Sequence, residues 1–251
     1  MLLNNMDNPD ELFNHIKSIL GESPKSMRIL EDSISIDVQM EYYKMVSKIR
    51  SSEPLKDSNP EELLSKKLTP DEVKEYLIRL AGTDNVENYR LIEQYASVAP
   101  TELKDWALMA LNECRFHLVS SLSEEDGVFI STGLGGKSGK LRYFIVFVPN
   151  SEGLSQEQKQ LVVDEVNFLF PRYSSEVEIA EITGDFICVT TLIPMDIAVN
   201  EPINAVIDEC LTLGCSLNDG YIVTNVKTLS LEEIQKVLNH EPIDGMNFDE
   251  Q

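Results

Sequence analysis

The sequence predicts an α+β chain in two parts: an all-α N-terminal half, and a C-terminal half with a mainly antiparallel sheet flanked by helices. Three observations carry this. Apolar residues recur at helical spacing from Asn8 to about Ser121. Helix starts of one chemical type punctuate the chain. After Ser121-Leu122-Ser123-Glu124-Glu125-Asp126-Gly127, short β-branched and aromatic runs alternate with helical stretches. The domains are therefore drawn as 1–122 and 123–251, the second ending in an acidic tail.

The helix starts come first. Asn8-Pro9-Asp10-Glu11, Asn59-Pro60-Glu61-Glu62 and Thr69-Pro70-Asp71-Glu72 set a capping residue before a proline, with an acid three after the cap. Ser155 with Gln158, and Ser230 with Glu233, repeat the capping box without proline. In each the side-chain oxygen accepts from a backbone N–H that has no helical partner. Helices are predicted over 9–20, 24–50, 60–67, 70–81, 85–98 and 101–121. The second half reads as strand 127–132, strand 141–148, helix 155–170, strand 176–182, strand 185–193, helix 200–213, strand 220–227 and helix 230–239.

From 141 onward the order is βαββαβ, the split βαβ or ferredoxin-like plan, with 127–132 as an extra N-terminal strand. A hairpin between 127–132 and 141–148 would compete with strand 220–227 for the same edge. The extra strand therefore belongs on a sheet edge, of this chain or of a second subunit, or the strand order differs.

Tyr89-Arg90-Leu91-Ile92-Glu93-Gln94-Tyr95, followed by Ala99-Pro100-Thr101-Glu102-Leu103-Lys104-Asp105-Trp106-Ala107-Leu108-Met109-Ala110-Leu111, resembles a HEAT-type helical repeat. The resemblance covers about 85–120. It implies stacked helices with a face for a partner, and no chemistry. A compact helical bundle is the alternative.

Composition narrows the function classes. A net charge of −22 is divided unevenly: residues 1–122 hold 14 Lys+Arg against 21 Asp+Glu, and residues 123–251 hold 7 against 22. Such a polyanion is repelled by nucleic-acid phosphates and anionic membranes, so neither is expected as a partner. No apolar run reaches the ~20 residues of a membrane span. The start has no basic head or apolar run of a secretory leader, and a cytoplasmic location is expected. Cys114, Cys188, Cys210 and Cys215 are read as reduced core thiols.

The most enzyme-like string is Ser131-Thr132-Gly133-Leu134-Gly135-Gly136-Lys137-Ser138-Gly139-Lys140. Its Gly-Lys-Ser matches the end of a Walker A loop, but Ser131 stands where the first glycine belongs. The next residues, 141–148, read as a strand, and a helix N-terminus is what holds phosphate in that motif. A second reading is an anion site. Gly133, Gly135, Gly136 and Gly139 would turn N–H groups inward as a nest. Lys137, Ser138, Lys140, Arg142 and Arg172 would line it, with Lys227 near the same end of the sheet.

Other constellations carry less. Cys114 and His117 share a helix face, but zinc needs further ligands and no second pair has metal spacing. Cys210 and Cys215 flank a helix end. No nucleophile elbow is present, and pairs such as Glu176 with Glu178 are expected among 43 carboxylates. Trp106, Tyr42, Tyr43, Tyr89 and Tyr95 lie at helical spacing and read as packing.

The expected function is a non-enzymatic protein-interaction or regulatory protein, with no cofactor, no metal and no catalytic residue assigned. Its partner would be a protein, and the C-terminal domain would be the one to form a homodimer. The alternative is a phosphate- or nucleotide-binding enzyme, or a small-ligand sensor, using loop 133–140.

Overall fold

Thr69, Ser155 and Ser230 accept hydrogen bonds from the N–H groups of Glu72, Gln158 and Glu233, and each of those side chains returns a bond to the cap N–H. These three capping boxes start the helices that their sequences predict. The computed structural model describes residues 27–50, 63, 68–123 and 128–244. The predicted helix 9–20, the predicted helix 60–67 apart from the helical, buried Leu63, the caps at Asn8 and Asn59, the stretch 124–127 and the acidic tail lie outside the described residues.

The chain divides into two compact units. One comprises Ile34–Phe129 with Lys25–Arg28; the other takes Ile29–Ser33 together with residues from Ile130 onward. The division is not a single cut.

In the helical unit, α1 spans Ile36–Arg50, α2 Pro70–Ala81, α3 Val86–Val98 and α4 Thr101–Ser123. Helix α4 packs against each of the other three. Ala107 and Ala110 on it are fully buried, and such small side chains let neighbouring backbones approach. Tyr42, Leu77, Ile92 and Trp106 fill the core, with the Tyr42 and Trp106 rings edge-on at 5.2 Å between centroids.

The predicted helix 24–50 requires correction. Met27–Ile29 is strand β1, and α1 begins only at Ile36, where Ser35 accepts from the Val38 N–H and its carbonyl from Gln39. Ser33 and Ser35 compete for backbone groups in the way that favours a cap over a helix interior.

In the sheet unit, β4 (Lys140–Pro149) is central, as its nearly unbroken apolar run requires. It pairs antiparallel with β6 (Phe186–Pro194) on one side and β7 (Leu217–Thr224) on the other. Strand β5 (Glu176–Thr183) pairs antiparallel with β6, so the order is β7–β4–β6–β5. Helix α5 (Gln156–Leu169) and a 3₁₀ turn (Phe170–Tyr173) link β4 to β5; α6 (Asn200–Thr212) links β6 to β7.

One face of the sheet presents Leu141, Ile145, Phe147, Ile187 and Val189, all buried, on the α5–α6 side. The other presents Phe144, Val146, Cys188 and Ile222, which pack with Leu134, Leu229, Ile243 and Ile234 of α7 (Leu231–Leu238). Both faces are covered.

The competition for the edge of β4 is resolved by length. Strand β3 (Gly136–Lys137) takes only Lys140 and Leu141, whereas β7 takes Phe144 to Pro149. Residues 127–132 contribute β2 (Val128–Ile130), which pairs with β1 in a separate two-stranded sheet.

Candidate functional site: the glycine-rich hairpin and its charged rim

Lys137 pairs with Lys140 across a two-residue turn in which Ser138 (φ 51°) and Gly139 (φ 78°) are both left-handed. Two successive positive φ values make a type I′ turn, whose twist suits an antiparallel hairpin. The Gly-Lys-Ser string is thus the tip of a β-hairpin, and the ten-residue strand β4 follows it. The residues directly after the loop are extended and open no helix.

Gly133, Gly135 and Gly136 serve close packing, whereas Gly139 serves the turn. A Cβ on Gly133 would lie 1.9 Å from the Val226 carbonyl oxygen. One on Gly135, itself at φ 68°, would meet the carbonyl oxygens of Leu30, Glu31 and Asp32 at 2.6–2.9 Å. One on Gly136 would lie 2.3 Å from the Lys140 carbonyl oxygen. Residues 132–136 are buried, while Lys137, Ser138 and Gly139 are exposed. The N–H groups of Leu134 and Gly135 donate to the carbonyls of Asn225 and Thr132, at 2.9 and 3.2 Å. Ser33 Oγ donates to the Gly133 carbonyl, 3.1 Å away. Two N–H groups of the loop are thus bonded to the chain itself and not turned to an anion.

The cations are engaged in the same way. Arg142 grips Glu178 through two bonds of 2.6 and 2.9 Å and donates to the Leu134 carbonyl at 2.7 Å. Lys140 pairs with Glu176 at 2.5 Å. Lys227 pairs with Glu233 at 2.6 Å and donates to the Asp244 carbonyl. Arg172 leaves the 3₁₀ turn and lies over the Phe168 ring, 4.1 Å from its centroid. Lys137 makes no ion pair among the described residues. The structure therefore brings Lys137, Lys140 and Arg142 together on the β3–β4 hairpin, beside two glutamates of β5.

Those glutamates are what the sequence reading missed. Lys140-x-Arg142 and Glu176-x-Glu178 have matching strand spacing, and the βαββαβ plan puts one strand between them. Only that plan turns two commonplace pairs into a charged lattice across β6. A bulge in β5 between Val177 and Ile179 gives Glu178 its position.

The electrostatics follow the pairing. Hydrogen bonding and charge from Lys140, with Lys137 adding to them, lower the Glu176 pKa, and bonding to Glu178 raises that of Arg142. Glu233 falls from 4.5 to about 2, first through its bond to Lys227 and then through the Ser230 cap. A folded-state pKa below the unfolded one adds stability above the unfolded value, which is lost as pH falls through the folded value. Acid titration should therefore weaken the sheet unit progressively between pH 4.5 and about 2, and Glu233→Gln should flatten that part of the curve. Thermal melts at half-unit steps of pH measure this.

The remaining candidates are occupied by packing. Cys114 Sγ donates to the Thr83 carbonyl at 3.7 Å, and burial pushes its thiol up to about 11. His117 lies 3.4 Å from Arg50 and 3.8 Å from Glu113. Cys210 and Cys215 are both buried, and burial drives the Cys210 thiol up to about 12, far from the thiolate that reacts. Among the described residues no group of three or more His, Cys, Asp or Glu is placed to hold a metal ion. No helix among them is long and apolar enough to cross a membrane.

No family model matches the chain, and no curated protein matches it. Among solved structures it is similar to a putative transposase from Deinococcus radiodurans R1, at 14% identity and a TM-score of 0.35, over 42% of this chain and 94% of that one.

Proposed function

We propose that this is a non-enzymatic protein-interaction or regulatory protein whose sheet unit follows the ferredoxin-like plan. The plan is supported by the antiparallel order β7–β4–β6–β5 with α5 and α6 as crossovers. One observation carries the functional reading: the element with the most ligand-like sequence is spent on the chain itself. Its carbonyl-facing glycines, its internal N–H bonds and the carboxylate-bound Lys140 and Arg142 leave, among the described residues, only Lys137 of the hairpin's cations without an ion pair.

In the helical unit, the α3–α4 pair keeps its HEAT-type reading as a surface for a protein partner, with Val86 and Val98 exposed on α3. Exposed apolar side chains of this kind suit a partner better than they suit water, although singly they are ordinary.

Isothermal titration of the full chain with ATP, GTP and inorganic phosphate should give no binding tighter than about 1 mM. Reciprocal affinity capture in the native host should return a protein in constant proportion. Binding of any of the three anions that disappears in a Lys137→Ala, Lys140→Ala double variant would replace this reading with the anion-site one.

A further inference from the structure

Among the described residues the main sheet has two edge strands, β7 and β5, and the β5 edge is the one without a buried side chain. Among the described residues this strand pairs only with β6, and its side chains are exposed or half-buried along all eight positions. The direction of its backbone groups follows from the hairpin. Gly184 (φ 64°) and Asp185 form a two-residue turn, so the flanking Thr183 and Phe186 exchange hydrogen bonds. Antiparallel pairs alternate from there. Thr183, Glu181 and Ile179 bond inward to β6, while the N–H and C=O of Ile182 and Ala180 point to the free edge.

The side chains along that edge alternate in character. On the α7-covered face of the sheet stand Glu181, then Ile179, then Glu176, in rows with Cys188, Thr190 and Leu192 of β6. Ile179 is 52% exposed, Glu181 is exposed, and Glu176, though paired with Lys140, keeps its side chain 58% exposed. Charge at an edge opposes pairing between copies. The register that matches Ala180 to Ile182 of a second copy sets Glu181 directly against its own counterpart, which is repulsive. Residues 123–251 also carry 7 basic against 22 acidic residues, which adds to that repulsion.

Resting on the protein-interaction reading above, we infer that the β5 edge accepts an extended basic segment as an added strand. Its side chains on this face follow the pattern basic–x–apolar–x–basic, opposite Glu181, Ile179 and Glu176. Main-chain bonds to Ala180 and Ile182 supply the affinity, and the alternating side chains supply the choice of partner.

The test uses the full chain with two synthetic peptides, Thr-Lys-Thr-Val-Thr-Lys-Thr and its counterpart with Glu in place of both Lys. Amide hydrogen exchange at Ala180 and Ile182 should slow at least tenfold with the lysine peptide and stay unchanged with the glutamate one. Ala180→Pro removes an outward N–H, which an edge strand tolerates, and should abolish the slowing at Ile182 without lowering the melting temperature. Glu181→Lys keeps the backbone and should shift the preference between peptides by about tenfold toward the glutamate one.

No slowing with the lysine peptide, or equal slowing with both, overturns the inference. So does a dimer in sedimentation equilibrium that Ala180→Pro dissociates, since the occupant would then be a second copy. Binding heat that survives both variants sinks the edge assignment yet leaves the protein-interaction reading standing. Failure of host capture removes that reading itself.

Discussion

Gly133→Ala should destabilise the sheet unit by roughly 3–5 kcal/mol, a large share of the roughly 5–15 kcal/mol that holds a native protein together. The added methyl would sit 1.9 Å from the Val226 carbonyl oxygen and 2.7 Å from its carbon, so the obstruction is backbone. Neither side can yield cheaply. The Leu134 N–H next to it is bonded to Asn225, and the Leu134 side chain lies in the core beneath α7. Gly139→Ala is the matched control. Its φ of 78° strains an alanine, but nothing lies within 4 Å of the new Cβ, and a cost of only about 1–2 kcal/mol is expected. Chemical denaturation of the two variants side by side separates close packing from turn conformation. Equal losses would show that the loop is not packed as described.

Glu113→Ala should cost the helical unit roughly 2–3 kcal/mol. The Tyr42 hydroxyl, on a fully buried ring, donates to this carboxylate at 2.6 Å, and Arg50 donates to its other oxygen at 2.5 Å. Removing the carboxylate strands a buried phenol and leaves a guanidinium without its partner. Arg50 is about half exposed, so water recovers part of its loss, and the figure is set below that for a fully buried pair. Burial alone would raise the Glu113 pKa; bonds from His117 and Tyr42 and the charge of Arg50 outweigh it and leave it lowered. Burial, then Glu113, keeps the Tyr42 phenol protonated well above its usual range. The stabilisation by Glu113 is therefore present above the ordinary carboxylate pKa and lost as acid drives pH through the lowered value. Glu113→Gln should retain the Tyr42 bond, lose the charge on Arg50, and remove roughly half as much stability while flattening the acid limb. A loss under about 0.5 kcal/mol for Glu113→Ala would mean that α1 and α4 hold together by apolar packing alone.

Local chemistry made most elements legible. Capping boxes at Thr69, Ser155 and Ser230 announce three helices because the signal lies within four residues. The apolar run of β4 shows in composition because both its sides are buried. Helix α1 was drawn too long because the cap at Ser35 lacks the acid or glutamine three residues on that marks the others: Val38 stands there. The candidate site was legible only in part. Lys137, Lys140 and Arg142 do sit together, since a hairpin is a local structure. Their partners Glu176 and Glu178 are 36 residues away in each bond, and nothing near them in sequence singles them out. The glycines were harder still. A glycine that frees N–H groups for an anion and one that admits a neighbouring carbonyl are the same letter, and here the carbonyls come from residues 30–32 and 226.

The membership of Ile29–Ser33 in the sheet unit has a consequence for biosynthesis. Ser33 meets its hydrogen-bond partner Gly133 across 100 residues, so this short piece leaves the ribosome long before that partner. Its bonds to Gly133 and, from the Leu30 N–H, to Ile130 must wait until the helical unit has been translated. A chain expressed from residue 124 alone would lack the carbonyls that surround Gly135 and should be recovered in aggregates. Adding a peptide covering residues 27–35 in trans should restore soluble material.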